Sequence, residues 1–405
     1  MTVDTPGSLS ALREANQGRV IRALRRAGAM TQAEIARTTG LSAATVSNIV
    51  RELRSTGTLT VTPTSSGGRR AQRVALARPT GLIVGVEIGA TGLRAVLCDH
   101  DHDVLAEESI RYDTTVSVDR ALRRTEWLVS TLMRQARVDR GAVLGVGVAV
   151  PGPVDATGQV ASPALLPVWQ GVRIAHDLAE RLGMPVHVDN DANAAALGEL
   201  VWGAGRDVSD FVYLKLSGGV GAALVLGGDI YRGAAGFAGE IGHITVDEQG
   251  RICRCGNRGC LETLVGGPYL LDLLQHSGRA DAAATVATLV DAALAGDLGC
   301  RRVIADAGRV VGAAAAMLCN VLNPRCVVVG GELSAAGDLL LDPMREALAR
   351  QTLPSAVGMV EVVTARLGER ATALGAVAHV ERTLARAAAD PAVRPAGRLR
   401  INSAT

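Results

Sequence analysis

Gly239-Glu240-Ile241-Gly242-His243, followed by Cys253-Arg254-Cys255-Gly256-Asn257-Arg258-Gly259-Cys260-Leu261-Glu262, is the stretch on which the reading of this chain turns. One imidazole and three thiols stand in the spacing His-x9-Cys-x-Cys-x4-Cys. His243, Cys253, Cys255 and Cys260 are a sufficient set for a closed tetrahedral Zn2+ site, which holds a loop with no core of its own. Gly256 and Gly259 lie between the second and third thiols, where the chain must bend round an ion. The competing reading is three reduced cysteines brought close by chance. Structural cysteines keep apolar neighbours, however, and these have Arg254, Asn257 and Arg258. Four protein ligands leave no position for water, so the zinc is expected to be structural. Glu240 and Glu262 bracket the ligands, and the metal is expected to place them.

The chain around this segment is 405 residues long, more than one ordinary compact domain holds. Hydrophobic residues make up 48% and aromatics only 2%, so the cores are expected to be aliphatic. Met1 to Ser10 is polar with no secretory pattern, and no apolar run reads as long enough to span a membrane. Three of the seven cysteines are spaced for a metal; Cys98, Cys300, Cys319 and Cys326 are scattered through apolar segments, which suits a reducing cytoplasm. Net charge is only +2, but residues 1–80 carry twelve arginines against Asp4, Glu14, Glu34 and Glu52, a balance of +8 that leaves −6 for the rest. A basic head on an acidic body is expected to meet a polyanion head first.

That head, residues 1–78, reads as a winged helix-turn-helix. Val20, Ile21 and Leu24 recur at helical spacing up to Gly28. Thr31-Gln32-Ala33-Glu34 has the form of a capping box, and the short helix behind it closes at Gly40. Ser42 then caps a third helix whose buried stripe is Val46, Ile49, Val50 and Leu53. Two short strands, Leu59 to Val61 and Val74 to Leu76, flank Gly67-Gly68-Arg69-Arg70. In such a module the third helix enters the major groove of double-stranded DNA. Ser42, Ala43, Thr45, Ser47 and Asn48 stand outside its apolar stripe and are small enough for close approach. Asn48 is suited to adenine and Thr45 to a thymine methyl, while Arg51 and Arg54 suit phosphates. Gly68, Arg69 and Arg70 in the wing combine flexible backbone with guanidiniums, as insertion into a minor groove needs. Pro79-Thr80-Gly81 is the expected hinge.

Residues 79–387 read as an α/β body. Leu82 to Val86 and Leu93 to Cys98 are strands about a glycine-containing turn, and Phe211 to Leu216 and Gly221 to Leu226 repeat that pattern. The repetition suggests two related lobes with a cleft between them. Val143 to Val150 ends in Pro151-Gly152-Pro153. Val186-His187-Val188 leads into Asp189-Asn190-Asp191, with a helix from Ala192 to Glu199 for which Asp191 is a candidate N-cap. Helix is also expected from Arg301 to Val321 and from Ala371 to Arg386. Residues 388–405 form a tail expected to be disordered.

With these parts in order, the chain resembles the ROK proteins (repressors, open reading frames and sugar kinases), over about residues 10–385. Its motifs are the Gly239 to Glu262 segment, Asp189-Asn190-Asp191-Ala192-Asn193 and Gly147 to Asp155. The resemblance implies an actin-like, hexokinase-like (ribonuclease H-like) two-lobed, ATPase-type body. With the winged helix in front, it is similar to the repressor branch that governs carbohydrate metabolism, including xylose metabolism. It implies a sugar effector held by Asn190, Asp191, Glu240, His243, Glu262 and Gly152, and a homodimer or homotetramer on a pseudo-palindromic operator, with no membrane partner. In the kinases the position of Asp191 is the general base.

The phosphate loops depart from the kinase pattern. The first reads Glu87-Ile88-Gly89-Ala90-Thr91-Gly92, with glutamate for aspartate, alanine for a close-approach glycine and no basic residue. The second, Ser217-Gly218-Gly219-Val220-Gly221-Ala222-Ala223, lacks a threonine and its last glycine. A Cβ where backbone must touch phosphate is an obstacle, and a missing cation removes transition-state stabilisation. At Ser162-Pro163-Ala164-Leu165-Leu166 the usual ligand-contacting asparagine is also absent. The expectation is therefore a transcriptional regulator and no enzyme, with Asp191 a vestigial base. Two alternatives stand beside it: a sugar kinase with an attached DNA module, and a regulator that answers to a protein partner or a phosphorylated sugar.

Overall fold

The computed structural model describes residues 9–55, 58–66, 69–76, 81–89, 91–112, 117–155, 157–160, 169, 171–276, 284–355 and 358–389. The chain divides into two compact units, Met1–Thr80 with Glu381–Thr405, and Gly81–Val380. The boundary between the units falls within the last described helix, at Val380 and Glu381, while the sequence reading sets the end of the body at 387. The hinge at Pro79 and the tail beyond Ala389 lie outside the described residues.

The head is built from α1 (Leu9–Ala27), β1 (Met30–Thr31), α2 (Gln32–Thr39), α3 (Ala43–Ser55), β2 (Leu59–Ser66) and β3 (Arg69–Leu76). At the start of α2 the Glu34 N–H donates to Thr31 Oγ1 at 3.3 Å, and the Thr31 N–H donates to Glu34 Oε2 at 2.7 Å. This is the expected capping box, and it gives partners to backbone donors that the helix itself leaves open. Gly40 ends α2 in the left-handed region, φ 67°. Val46, Ile49, Val50 and Leu53 are buried with Val20, Leu24, Ile35, Leu59 and Val74, so one aliphatic core fixes α3 against the rest of the head. The hairpin strands run longer than expected, and β1 adds a third strand in the order β1-β3-β2. Pro63 is tolerated in β2 because β2 is an edge strand.

The body holds two sheets of matching topology. The first joins β4 (Leu82–Ile88), β5 (Gly92–Cys98), β6 (Val104–Arg111), β7 (Val143–Val150) and β8 (Val186–Asn190) in the order β6-β5-β4-β7-β8. The second joins β9 (Phe211–Leu216), β10 (Val220–Leu226), β11 (Asp229–Tyr231), β12 (Cys326–Gly330) and β13 (Glu361–Thr364) in the order β11-β10-β9-β12-β13. In both, the first three strands form an antiparallel meander and the last two add in parallel on its far side. The glycine turns seen in the sequence are the first hairpins of these two halves.

Helices α4 (Val118–Ala136) and α5 (Ile174–Leu182) pack on the first sheet, α6 (Asp191–Trp202) follows β8, and α7 (Glu262–Val265), α8 (Gly267–His276), α9 (Val286–Leu294), α10 (Leu298–Leu322) and α11 (Asp338–Gln351) belong to the second half. The last helix, α12 (Ala371–Ala389), crosses the first sheet at two glycines. A Cβ on Gly85 would stand 2.0 Å from Ala373 O, and one on Gly147 would stand 2.1 Å from Ala376 O, so only bare backbone allows this approach. Among the described residues α10 alone is long and apolar enough to cross a membrane by length and composition, a test that a buried core helix also passes. Half of its most apolar window is buried, with Gly308 and Gly312 set against the Leu340 and Met344 carbonyls of α11.

Candidate functional site

The ligand atoms of His243, Cys253, Cys255 and Cys260 all lie within 4.8 Å of one another. Cys253 Sγ is 3.7 Å from His243 Nδ1, and Cys255 Sγ is 3.6 Å from Cys260 Sγ. Tetrahedral Zn–S bonds of about 2.3 Å set ligand atoms about 3.7 Å apart, so the donor set fits such an ion. Backbone bonds shape the loop: the Cys253 N–H donates to Asn257 O at 2.7 Å and the Gly259 N–H to Arg251 O at 2.8 Å. Gly259 has φ 65°, and a Cβ there would fall 1.5 Å from Asp247 O. Burial, then the neighbouring thiols, push Cys260 up to about 12. Thiols this close resist joint ionisation unless a cation stands among them.

His243 turns its other nitrogen away from the thiols. Its Nε2 lies 4.0 Å from Glu240 Oε2, so one ring faces both the thiols and the carboxylates. Glu240 is pushed up to about 7, first by burial and then by the Asp191 and Glu262 carboxylates. Three acidic groups from separate elements thus converge here. Glu262 is the most enclosed, its side chain 5% exposed. Its oxygens accept from Arg254 Nε at 3.0 Å, Arg254 Nη2 at 3.1 Å and the Val220 N–H at 3.2 Å. It reaches the site with three donors already in place.

Asn190, and not Asp191, caps α6. Asn190 Oδ1 accepts from the Ala192 and Asn193 N–H groups at 2.9 and 3.1 Å, while its Nδ2 donates to Gly152 O at 2.8 Å. The capping role weighed for Asp191 is therefore corrected: Asp191 is the first helical residue, and its carboxylate is free to turn inward. There Asp191 Oδ2 accepts from Lys215 Nζ at 2.8 Å. The same ammonium donates to Glu87 Oε1 at 2.8 Å and to Thr372 Oγ1 at 3.3 Å. A basic residue is absent from the first glycine turn itself, but the second sheet supplies one from β9. Arg232 pairs with Asp189 behind the cap, and His379 Nδ1 lies 3.5 Å from the same carboxylate.

In the head, Ser42, Ala43, Asn48 and Arg51 are exposed, and Thr45 and Ser47 are half-buried. Ser42 Oγ accepts from the Thr45 N–H at 3.1 Å and lies 2.8 Å from Thr45 Oγ1. The two hydroxyls therefore engage each other, which leaves Thr45 its methyl for any base contact. Arg13 Nη2 meets Glu52 Oε2 at 2.6 Å, so the acidic residue of α3 is neutralised from α1. The register Ser66↔Arg69 leaves only Gly67 and Gly68 to close the wing, and both lie outside the described residues, as do the side chains of Arg69 and Arg70. Ala90 and the 162–166 segment lie outside them as well.

Sequence reasoning missed Lys215, Thr372 and Arg254. For Lys215 a signal existed: it is the lone charge in Phe211-Val212-Tyr213-Leu214-Lys215-Leu216, an otherwise apolar strand running into a glycine turn. A buried central strand carries a charge only when a partner waits for it.

The family model described as "ROK family" matches residues 83–383, and one described as "MarR family" matches residues 14–70. The xylose repressor of Caldicellulosiruptor bescii is 30% identical over 387 residues, covering 92% of this chain and 97% of that protein. The glucokinase of Thermotoga maritima is 32% identical over 317 residues, covering 74% of this chain and 97% of its own length. Among solved structures, a ROK family transcriptional regulator described as a homolog of the E. coli MLC protein superposes with a TM-score of 0.73 at 26% identity, covering 92% of this chain and 97% of its own.

Proposed function

The chain belongs to the ROK family, and on that premise we propose how it works: it is a DNA-binding transcriptional repressor whose hold on its operator is set by a sugar bound in the body. The observation that carries this reading is the division of labour along α3. Val46, Ile49, Val50 and Leu53 are buried in the head while Ser42, Ala43, Asn48 and Arg51 of the same segment are exposed. A helix anchored along one stripe and bare along the other is what a groove-reading helix requires. Residues 69 and 70 would add phosphate or minor-groove contacts at the wing.

The sugar is held, in this reading, by Asn190, Asp191, Glu240, His243 and Glu262, with Gly152 positioned by Asn190. Carboxylates and amides suit a polyol because each hydroxyl left without a partner in a closed site costs about 1–3 kcal/mol. D-xylose is the first candidate, since relatives that match along nearly the whole chain bear that name. The four-ligand cluster is read as a structural zinc site whose ion fixes the His243 ring and the two glutamates around it. Such a metal supplies charge and geometry to the loop and takes no part in a reaction. The departures at Glu87 to Gly92 and at Ser217 to Ala223 support a receptor without kinase turnover.

For the sugar to release DNA, it must bind the DNA-free conformation more tightly than the DNA-bound one. A homodimer, or a pair of dimers, would read a pseudo-palindrome with two heads, and a change in their spacing would break simultaneous contact. Calorimetric titration of the full chain with a panel of mono- and disaccharides tests the site. Binding should be lost in Glu240→Gln and Asp191→Asn. Consumption of MgATP in the presence of any of these sugars, abolished by Asp191→Ala, would place the chain with the kinases.

A further inference from the structure

Glu87 and Lys215 hold equivalent places in the two halves of the body. Each is the last residue but one of its strand, β4 or β9, and each strand opens its sheet and lies at its centre. Opposite charges at these matched places meet at 2.8 Å, and Asp191 at the head of α6 meets the same ammonium at 2.8 Å. Thr372 Oγ1, near the start of α12, takes a third proton at 3.3 Å. An ammonium has three protons to give, so Lys215 Nζ is saturated by this chain alone. Its side chain is 14% exposed, and those of Glu87 and Asp191 are each 18% exposed. Burial by itself would lower the lysine pKa; Asp191 and Glu87 outweigh it and hold the pKa above the ordinary lysine value.

Without the ammonium, the same place would hold two carboxylates and a hydroxyl from three separate elements. The Glu332 carboxyl is near enough to feel both Lys215 and Glu87. Oxygen donors arranged in this way are what hard divalent cations take. Phosphoryl transfer depends on such a cation to bridge phosphate oxygens and neutralise developing charge. A lysine whose three protons are spent cannot bridge anything further.

We propose that Lys215 is a resident cation and a specificity-determining residue. It closes the Glu87–Asp191–Thr372 oxygen site to divalent metal, and therefore to metal-bridged phosphates, leaving an uncharged polyol as the ligand the body accepts. The inference rests on the reading of the body as a receptor without turnover, and it names the group that makes it one. It also gives the substituted glutamate a role: Glu87 is half of an ion pair with the opposite sheet.

The test is Mn2+ binding to the full chain, followed by electron paramagnetic resonance, for wild type, Glu87→Gln, Lys215→Gln, Lys215→Arg and the double variant Lys215→Gln with Glu87→Gln. Wild type and Lys215→Arg should take up no Mn2+ that depends on Glu87. Lys215→Gln should gain one Mn2+ per chain, and the double variant should lose it. Removing the ammonium leaves two facing carboxylates, so thermal unfolding is followed in parallel. Mn2+ should raise the melting temperature of Lys215→Gln and leave that of wild type unchanged, because a ligand that binds only the folded chain stabilises it. Two results overturn the proposal: Glu87-dependent Mn2+ uptake by wild type, or a Lys215→Gln chain, folded or not, that Mn2+ neither binds nor stabilises. None of these readouts uses DNA or a sugar, so a failure here and a failure of the receptor reading are told apart.

Discussion

Asn190 donates from its side-chain amide to the Gly152 carbonyl at 2.8 Å while its Oδ1 caps α6. One side chain thus ties the turn after β7 to the helix that presents Asp191. Asn190→Ala removes the cap, worth about 1 kcal/mol, and a hydrogen bond of similar size. Asn190→Asp keeps the cap acceptor but sets a carboxylate against Gly152 O. Chemical denaturation should show both variants destabilised, with Asn190→Ala losing about 1–3 kcal/mol. Sugar affinity measured by calorimetry should fall in both, since the turn and Asp191 lose their common brace.

The zinc reading is tested by composition. Cys255→Ser leaves three ligands, two of them thiols, and should cost most of the bound zinc in elemental analysis of the purified chain. Structural zinc carries folding free energy, so the melting temperature of the body should fall with it, and chelation of wild type should reproduce the loss. Full metal content in the variant would remove Cys255 from the ligand set.

In the head, Asn48→Ala should weaken binding to the operator by about 1–3 kcal/mol while leaving binding to unrelated DNA nearly unchanged. Arg69→Ala with Arg70→Ala should weaken binding to any DNA and flatten its salt dependence, because every phosphate that is no longer neutralised takes about one released counterion out of the slope. Gel-shift titrations at several salt concentrations separate the two behaviours. An unchanged slope removes the wing arginines from the interface.

A fourth prediction concerns acid stability. Glu107 on β6 receives Arg94 Nη1 at 2.7 Å and Arg370 Nη2 at 2.5 Å, joining the first sheet to the start of α12. Burial would raise its pKa, but hydrogen bonds from Arg370 and Arg94 outweigh it and hold the carboxyl below the usual glutamate value. A depressed folded-state pKa contributes stability that is present above the unfolded value and is lost as pH falls through the folded one. Glu107→Gln should therefore cost about 1 kcal/mol near neutral pH, allowing for the exposure of Arg370. The difference from wild type should shrink as pH drops below the ordinary glutamate range. Urea unfolding at a series of pH values checks it, and a constant difference refutes the assignment.

Much of this architecture is legible where chemistry is local. The Thr31 and Glu34 pair marks the start of α2 because a capping box needs only four residues. Val143 to Val150 reads as a buried strand because nothing in it requires water. The His243 to Cys260 spacing marks by residue type alone a cluster that could hold a metal, and the four side chains do come together. What the sequence conceals is pairing between distant segments. β6 escaped notice because Val104-Leu105-Ala106-Glu107-Glu108-Ser109-Ile110-Arg111 is an edge strand with half its surface in solvent, and its alternation is blurred. β1 is only two residues long and exists because β3 offers it a partner. Asn190 takes the cap while Asp191 turns to Lys215, twenty-four residues further on. From Asp-Asn-Asp alone, three residues compete for one role.

A sugar in the body governs the head's hold on DNA: that is the central claim, and fluorescence anisotropy measures it directly. The full chain is titrated onto an operator fragment from upstream of its own coding sequence, with and without D-xylose and other monosaccharides. A coupling of about 1–3 kcal/mol predicts that one of these sugars weakens DNA binding by about 5–150-fold. It also predicts that Glu240→Gln abolishes this shift while binding DNA as tightly as sugar-free wild type. Tight operator binding that no sugar changes, in a chain with its full complement of zinc, would contradict the claim.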